Sequence, residues 1–199
     1  MENETISRIG GAMKELDLVF VDTETTGLDA NQHEIIEIGL VRVKQEWSVG
    51  EKPKFTFISE WSAKIKPLHL ELADPKALLI NGYTPNGWTD AISASDAITL
   101  FSEKTNGAIM VAHNVAFDAG FIDNYFKTYG IKNKMHYSRL DTISMAYIAL
   151  QNNPALNGLS LPELCNYFDI TNEHAHSALS DARADFELFK KLMDFKPSL

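Results

Sequence analysis

Three candidate strands precede the first candidate helix, and this order of elements constrains the fold of the chain most. Apolar or alternating residues predict the strands at Leu16–Glu24, His33–Lys44 and Lys54–Ile65. Further along, short runs at Ala108–Ala112 and near His136–Leu140 are also typical of strands, and they alternate with amphipathic stretches. A run of strands followed by mixed strands and helices indicates a central mixed sheet covered by helices, so the predicted fold class is α/β.

Six stretches have the periodicity of helices. They are Leu70–Ile80, Thr89–Lys104, Ala116–Tyr129, Asp141–Leu150, Leu161–Phe168 and Ala178–Met193. The chain has 199 residues, 45% of them hydrophobic, which suits one domain with a full core. We therefore expect a single domain over residues 16–199. Residues 1–15 are polar and aperiodic, and we expect them to form a loosely ordered arm.

Charge and cysteine content exclude several classes of protein. The net charge of −9 argues against a protein that holds nucleic acid through a broadly basic surface, although it permits an enzyme that grips one strand end. The single cysteine, Cys165, cannot form an internal disulfide. No apolar run reaches the ~18 residues needed to span a bilayer, and the N-terminal residues lack a signal-peptide pattern. We expect a cytoplasmic protein without membrane interactions.

Two acids end the first predicted strand. Asp22 and Glu24 are two residues apart, so they project from one face of that strand. Carboxylates at the end of a hydrophobic strand are costly to bury unless a cation pairs with them, and a divalent metal ion prefers such oxygen ligands. The alternative is that both acids lie at a solvent-exposed strand end, followed by an ordinary Thr-Thr-Gly turn.

A third acid follows the fourth predicted strand, in the segment HNVAFD. Asp118 shares a helical face with Phe121 and Ile122, which places its carboxylate at the buried upper end of that face. The alternative is that Asp118 is simply an acid in the first turn of a helix, where the helix dipole favours it. We expect His113 and Asp141 to make structural hydrogen bonds, in a loop and at a helix start.

The segment HSALSDA, at the start of the last predicted helix, contains a fourth acid and a histidine. Asp181 shares a face with Asp185 and Leu188, again an acid at the top of an apolar stripe. His176 would lie ~140° from Asp181 on a continuous helix, so the two can meet only if His176 is on a loop before the helix. His174 is the competing candidate, and a surface histidine without a role is the ordinary alternative.

Together these segments resemble the three sequence motifs of the DnaQ-like DEDDh 3′–5′ exonucleases, the family of the proofreading exonucleases. The matching segments are VDTETTGL (Val21–Leu28), HNVAFD (His113–Asp118) and HSALSDA (His176–Ala182), in the order of the family. The resemblance covers roughly residues 16–193. The chain departs from the family at Ile80–Thr84 (INGYT), where an IHGIT-like segment is more common. The resemblance implies a ribonuclease H-like fold, with a five-stranded mixed sheet whose second strand is antiparallel and with helices on its flanks.

The resemblance also implies a reaction and the residues that perform it. Four acids would bind two Mg²⁺ or Mn²⁺ ions, and His176 would be the general base in the hydrolysis of phosphodiester bonds. The enzyme would release nucleoside 5′-monophosphates from the 3′ end of single-stranded or frayed DNA. The implied metal ligands are Asp22, Glu24, Asp118 and Asp181. The implied substrate contacts are Thr25, Thr26, Gly27, Leu28, Asn114 and Phe117.

Two alternatives to a deoxyribonuclease stay open. The same residues would serve a 3′–5′ exoribonuclease that acts on short RNA or RNA tails. A non-catalytic nucleic-acid-binding or scaffolding module is the second alternative, although the presence of all five implied residues speaks against it.

The resemblance is compatible with a homodimer and with a polymerase partner. The chain leaves no tail after its last predicted helix to bind a polymerase, which favours a free-standing nuclease.

The acid-free loop Lys127–Arg139 is a candidate contact for phosphates and bases, and a solvated loop is the alternative. No role is predicted for the segment Trp47–Pro67.

Overall fold

The computed structural model describes residues 13–151, 158–173 and 175–195. Its centre is a five-stranded sheet in the order β3-β2-β1-β4-β5. The strands are β1 (Leu18–Thr25), β2 (Ile35–Glu46), β3 (Lys54–Lys64), β4 (Ile109–Ala112) and β5 (Arg139–Asp141). Strand β2 is antiparallel to β1 and β3, whereas β1, β4 and β5 are parallel. The predicted α/β fold, with a mixed sheet and an antiparallel second strand, is confirmed.

Within the described residues, six α-helices and three short 3-10 helices accompany the sheet. The α-helices are α1 (Pro75–Ile80), α2 (Ala94–Lys104), α3 (Val115–Tyr129), α4 (Thr142–Leu150), α5 (Leu161–Tyr167) and α6 (Ala178–Asp194). The 3-10 helices are Met13–Glu15, Leu70–Leu72 and Pro85–Trp88. None of these helices is long and apolar enough to cross a membrane.

The side chains of β1 alternate between two hydrophobic cores. Val19 and Val21 are buried with residues of α2 and α3 on one face of the sheet. Phe20 is buried on the other face, where its ring centre lies 5.3 Å from that of Phe189 in α6. Because successive side chains of a strand point to opposite faces, Asp22 leaves the sheet on the side of Phe20 and α6.

Two predicted helices are shorter than expected. The helix predicted over Leu70–Ile80 is divided, because Pro75 has no backbone N–H and suits only the first turn of a helix. Asp74 caps α1 there, with its side chain accepting a hydrogen bond from a backbone N–H of the first turn. The next helix begins only at Ala94, after Ser93 has capped it in the same way.

The chain before β1 and the segment without a predicted role both pack on the sheet. Residues Met13–Glu15 lie against β2, where the Gln45 side-chain amide donates to the carbonyls of Met13 and Leu16. The rest of the expected arm lies outside the described residues, and the domain boundary stays a prediction. The segment Trp47–Pro67 contains β3, whose Phe55 packs on α6.

Candidate active site

Strand β1, at the centre of the sheet, carries two acids at its C-terminal end, close to the start of α6. Glu24 is 8% exposed and Asp22 is partly buried. Burial raises the pKa of Asp22 well above its usual range, and the charges of Asp118 and Asp181 raise it further. Burial also raises the pKa of Glu24 to about 7. The raised pKa values mean that ionisation of these two carboxyl groups is unfavourable. A nearby cation would stabilise their charged forms.

Helix α3 brings a third acid against the same strand. Asp118 is buried in the first turn of α3, on the face that also buries Phe121 and Ile122, as the helical spacing predicted. Its Oδ1 accepts a hydrogen bond of 2.7 Å from the hydroxyl of Thr23, the residue between the two acids of β1. Burial raises the pKa of Asp118 to about 7, and the hydrogen bond from Thr23 opposes this rise.

The loop before α6 brings a histidine and a fourth acid to Glu24. A ring nitrogen of His176 and carboxylate oxygens of Glu24 and Asp181 lie within 4.8 Å of one another. His176 precedes the helix in a left-handed conformation (φ 67°), and its backbone N–H donates to Oδ2 of Asp181 at 3.1 Å. His176 therefore folds back from a loop, as the helical geometry required. His174 lies outside the described residues.

The donor set of this site suits a divalent metal ion. Glu24 and Asp181 offer oxygen atoms, and His176 offers a nitrogen, within one small cluster. Asp22 and Asp118 lie close enough that their charges act on each other and on the acids of that cluster. Hard divalent cations bind carboxylate oxygens, and a dense group of partly buried acids has few other means of compensating its charge.

The loop after β1 is fixed by hydrogen bonds and projects one leucine into solvent. The hydroxyl of Thr25 donates to the Gly27 carbonyl at 2.7 Å. The hydroxyl of Thr26 accepts a 2.8 Å hydrogen bond from the backbone N–H of Glu34, just before β2. The side chain of Asn81, in the segment that departs from the family, donates to the Thr25 carbonyl at 2.8 Å. Leu28 is 82% exposed at the tip of this loop.

The turn between β4 and α3 holds the other two expected substrate contacts. Asn114 is exposed and left-handed (φ 68°), and Phe117 is partly buried one turn further on. Asp141 accepts a hydrogen bond from the backbone N–H of Val115 at 2.8 Å and caps α4. His113 bonds to the Leu159 carbonyl at 2.9 Å, so the expected structural hydrogen bonds of these two residues are confirmed.

Strand β2 supplies two residues that the sequence analysis missed. Oε1 of Glu37 lies 3.2 Å from both the Ser177 hydroxyl and the Ala178 backbone nitrogen, at the start of α6. A Cβ atom on Gly39 would lie 2.3–2.5 Å from backbone atoms of Ala178 and Leu179. These contacts place the start of α6, and thus His176, against the sheet. In the sequence, Glu37 and Gly39 could have been noticed as an acid and a glycine within an otherwise apolar strand segment, IIEIG.

A further acid of this region, Asp185, was noted in the sequence but given no role. Asp185 is 2% exposed, and its Oδ1 lies 2.6 Å from the hydroxyl of Thr142. Its Oδ2 is the one buried side-chain oxygen or nitrogen without a hydrogen-bond partner among the residues that the structure describes. Burial raises the pKa of Asp185 to about 7, and the charges of Asp118 and Asp141 contribute to this rise.

The basic loop Lys127–Arg139 lies away from these acids. Its backbone bonds to Gly107 and Ala108, next to the start of β4, whereas Asp118 follows the end of that strand. Arg139 pairs with Asp123 at 2.5 Å. The position favours a solvated loop over a contact with substrate at the site.

Comparison with known proteins identifies relatives along most of the chain. A family model described as an exonuclease (RNase T) matches residues 19–189. The PolC-type DNA polymerase III of Caldanaerobacter subterraneus subsp. tengcongensis is 30% identical over 187 residues, which is 92% of this chain but 12% of that relative. Ribonuclease T of Shewanella frigidimarina is 28% identical over 183 residues, 86% of this chain and 79% of the relative. The chain thus spans a small part of its PolC-type relatives.

Solved structures of Exonuclease I share the fold. E. coli Exonuclease I in complex with a dT13 oligonucleotide has a TM-score of 0.70 and 21% identity, over 92% of this chain and 42% of that chain. Exonuclease I from Methylocaldum szegediense has a TM-score of 0.69 and 23% identity, over 90% of this chain and 42% of that chain. The ribonuclease H-like fold implied by the sequence motifs is confirmed.

Proposed function

The chain belongs to the RNase T exonuclease family, and on this premise we propose that it is a metal-dependent 3′–5′ exonuclease acting on the 3′ end of single-stranded or frayed DNA. It releases nucleoside 5′-monophosphates. The observation that carries the proposal is the convergence of Glu24, His176 and Asp181 within 4.8 Å, beside the acids Asp22 and Asp118.

Four carboxylates would hold two divalent cations, Mg²⁺ or Mn²⁺. These are Asp22, Glu24, Asp118 and Asp181. Their four negative charges equal the positive charge of two such cations, which would offset the burial and the repulsion that together raise the pKa of Asp22. When bound, the two cations supply a nucleophilic water and stabilise charge on the phosphoryl and leaving oxygens.

His176 takes the proton from the attacking water. Its side chain is exposed on the loop before α6, so it can accept the proton at the site and pass it to solvent. The hydrogen bond from its backbone N–H to Asp181 fixes the loop beside the acids. Proton transfer to a positioned side chain is worth roughly 10²–10⁴-fold in rate, so loss of His176 leaves a slow enzyme.

The terminal nucleotide binds between the loop after β1 and the turn after β4. Backbone groups of Thr25, Thr26 and Gly27 contact the terminal 3′-hydroxyl or phosphate, and the exposed Leu28 packs against the last base. Asn114 and Phe117 contact the strand from the other side. The hydrogen bond between Thr23 and Asp118 supports this assignment, because it joins the end of β1, from which the first segment continues, to the start of α3, which the second segment precedes.

Single-stranded DNA is the proposed substrate, and an exoribonuclease is the second candidate. The DNA assignment is supported by the relatives named as DNA polymerases and by the likeness to Exonuclease I, which was solved with dT13. The RNA alternative is supported by Ribonuclease T, of which the chain covers 79%. A homodimer and a polymerase partner stay predictions.

Digestion of 5′-labelled oligonucleotides tests the proposal. Single-stranded, duplex and mismatched DNA and single-stranded RNA are incubated with Mg²⁺ or Mn²⁺, with Asp22→Asn as the control. We expect ladders that shorten from the 3′ end, faster on single-stranded DNA than on RNA, and none with EDTA or with Asp22→Asn. Undiminished cleavage by Asp22→Asn would refute the mechanism. Absence of cleavage with either cation would favour a non-catalytic module.

A further inference from the structure

Three hydrogen bonds connect four groups in a line from Leu159 to Asp185 of α6. The Leu159 carbonyl lies 2.9 Å from Nε2 of His113, and Nδ1 of the same ring lies 3.0 Å from the Thr142 hydroxyl oxygen. That oxygen lies 2.6 Å from Oδ1 of Asp185. Thr142 and Asp185 are buried and His113 is partly buried, so the bond between Thr142 and Asp185 lies in the protein interior.

Three hydrogen bonds in this line require three protons. The Leu159 carbonyl can only accept, so Nε2 of His113 must carry a proton. The Thr142 hydroxyl has one proton, which it can donate either to His113 or to Asp185. Whichever of these two does not receive that proton must itself donate one to the Thr142 oxygen. Two arrangements supply these three protons without adding a fourth: a charged His113 with an ionised Asp185, or a neutral His113 with a protonated Asp185 that donates to Thr142.

The surroundings favour the neutral arrangement. An ionised Asp185 would bury a charged Oδ2 without any hydrogen-bond partner, whereas a protonated Asp185 leaves only a carbonyl oxygen there. The charges of Asp118 on α3, and of Asp141 at the start of α4, oppose a charge on Asp185. Burial lowers the pKa of His113, against smaller opposite effects of Asp141 and Asp181.

We propose that Asp185 is a positioning residue that carries a proton rather than a negative charge and that, through Thr142, fixes the ring of His113. That ring holds the turn after β4 against Leu159, and the turn presents Asn114 and Phe117. The part of the inference that concerns these two residues rests on the proposed function. A neutral Asp185 also adds no negative charge to the site, so the total charge beside the proposed cations stays at the −4 of the four proposed metal ligands.

The substitution Asp185→Asn imitates the protonated acid, because its amide N–H₂ donates to Thr142 as the carboxyl group would. Asp185→Ala and Thr142→Val break the line. Thr105→Val is the matched control, since Thr105 is equally buried and its hydroxyl donates one 2.8 Å hydrogen bond to Phe101, away from the acids.

Nitrogen NMR of the His113 ring tests the proton arrangement independently of activity. In ¹⁵N-histidine-labelled protein at neutral pH, with and without Mg²⁺, we expect two well-separated ring nitrogen signals from a neutral ring protonated at Nε2. Asp185→Asn should preserve this pattern, and Thr142→Val, which removes the proton donated to Nδ1, should shift the Nδ1 signal. A charged His113 in the unsubstituted protein would overturn the proposal.

Steady-state kinetics with an oligonucleotide test the positioning role. Thr142→Val and Asp185→Ala should raise KM about tenfold, the effect of roughly one lost hydrogen bond, with a smaller change in kcat. Asp185→Asn should restore KM relative to Asp185→Ala, and Thr105→Val should leave it unchanged. If Asp185→Asn instead abolishes Mn²⁺ binding as Asp22→Asn does, Asp185 is a metal ligand and the proposal is wrong. Failure of the proposed function would appear separately, as activity retained by Asp22→Asn.

Discussion

The hydroxyl of Thr23 donates a 2.7 Å hydrogen bond to Oδ1 of Asp118, across 95 positions of sequence. Both side chains are buried, and Thr23 lies on β1 between Asp22 and Glu24. The bond therefore ties the acid of α3 to the strand that carries two other acids. It also favours the ionised form of Asp118, against the effect of burial, and an ionised carboxyl group is the form that binds a cation.

Thr23→Val should make the activity more sensitive to acid. The substitution keeps the shape of the side chain but removes the donor, so the pKa of Asp118 should rise above its present value of about 7. The acidic limb of the kcat/KM profile should then move to higher pH, with a greater loss of rate at pH 6 than at pH 8.5. Thr23→Ser keeps the hydroxyl and is the control. Identical profiles for the two variants would show that this bond does not tune the acid.

The stability of the metal-free protein should fall as the pH rises. Glu24 and Asp118 have pKa values raised to about 7 by burial, whereas unfolded carboxyl groups titrate near ~4. Their protonated forms are favoured in the folded state, so their contribution to stability is complete below about pH 4 and is lost as the pH rises through about 7.

Thermal unfolding followed by circular dichroism measures this dependence. In EDTA we expect a higher Tm at pH 5.5 than at pH 8. Mn²⁺ should raise Tm more at pH 8, because it binds the ionised acids of the folded state. A Tm in EDTA that rises from pH 5.5 to pH 8 would contradict the assigned direction of the pKa shifts.

Gly39→Ala should destabilise the protein, because the added Cβ would lie 2.3–2.5 Å from the backbone of Ala178 and Leu179. Overpacking of this kind costs about 1–3 kcal/mol in the free energy of unfolding. Gly120→Ala is the matched control, since nothing lies within 4 Å of its added Cβ and alanine favours a helix by about 1 kcal/mol. Urea unfolding compares the two variants. Equal stability of both would show that α6 does not need the close approach at Gly39.

His176→Ala should lower kcat by roughly 10²–10⁴-fold, the usual contribution of a general base, with little change in KM. The variant should still bind Mn²⁺, because the four acids are retained. His174→Ala is the comparison, and it should keep most of the activity. If His174→Ala is instead the slow variant, the assignment of the base to His176 is wrong.

Local periodicity explains why much of this site could be predicted from sequence. The alternation of β1 indicated that Asp22 and Glu24 share a face, and the helical spacing of α3 indicated that Asp118 lies on a buried face. The angle between residues five apart on a helix required a loop at His176. Each of these inferences depends on neighbours within one element, whereas the grouping of the residues into one site came from the resemblance to the exonuclease family.

The residues that the sequence did not reveal depend on distant partners. Glu37 contacts Ser177 across 140 positions, and the reason for Gly39 is the backbone of α6. The role proposed for Asp185 depends on its hydrogen bond with Thr142, which lies on another helix. A single acid or glycine within an apolar element has no local pattern that identifies such a partner. The break before Pro75, by contrast, was missed although it has a local signal, an Asp-Pro pair that is typical of a helix start.

Crystals grown with Mn²⁺ test the central claim most directly, through anomalous diffraction at the manganese absorption edge. We expect two anomalous peaks, both within ligand distance of Asp22 and bounded by oxygens of Glu24, Asp118 and Asp181, and we expect their loss in Asp22→Asn. Manganese bound elsewhere, with no peak beside Asp22 and Glu24, would contradict it.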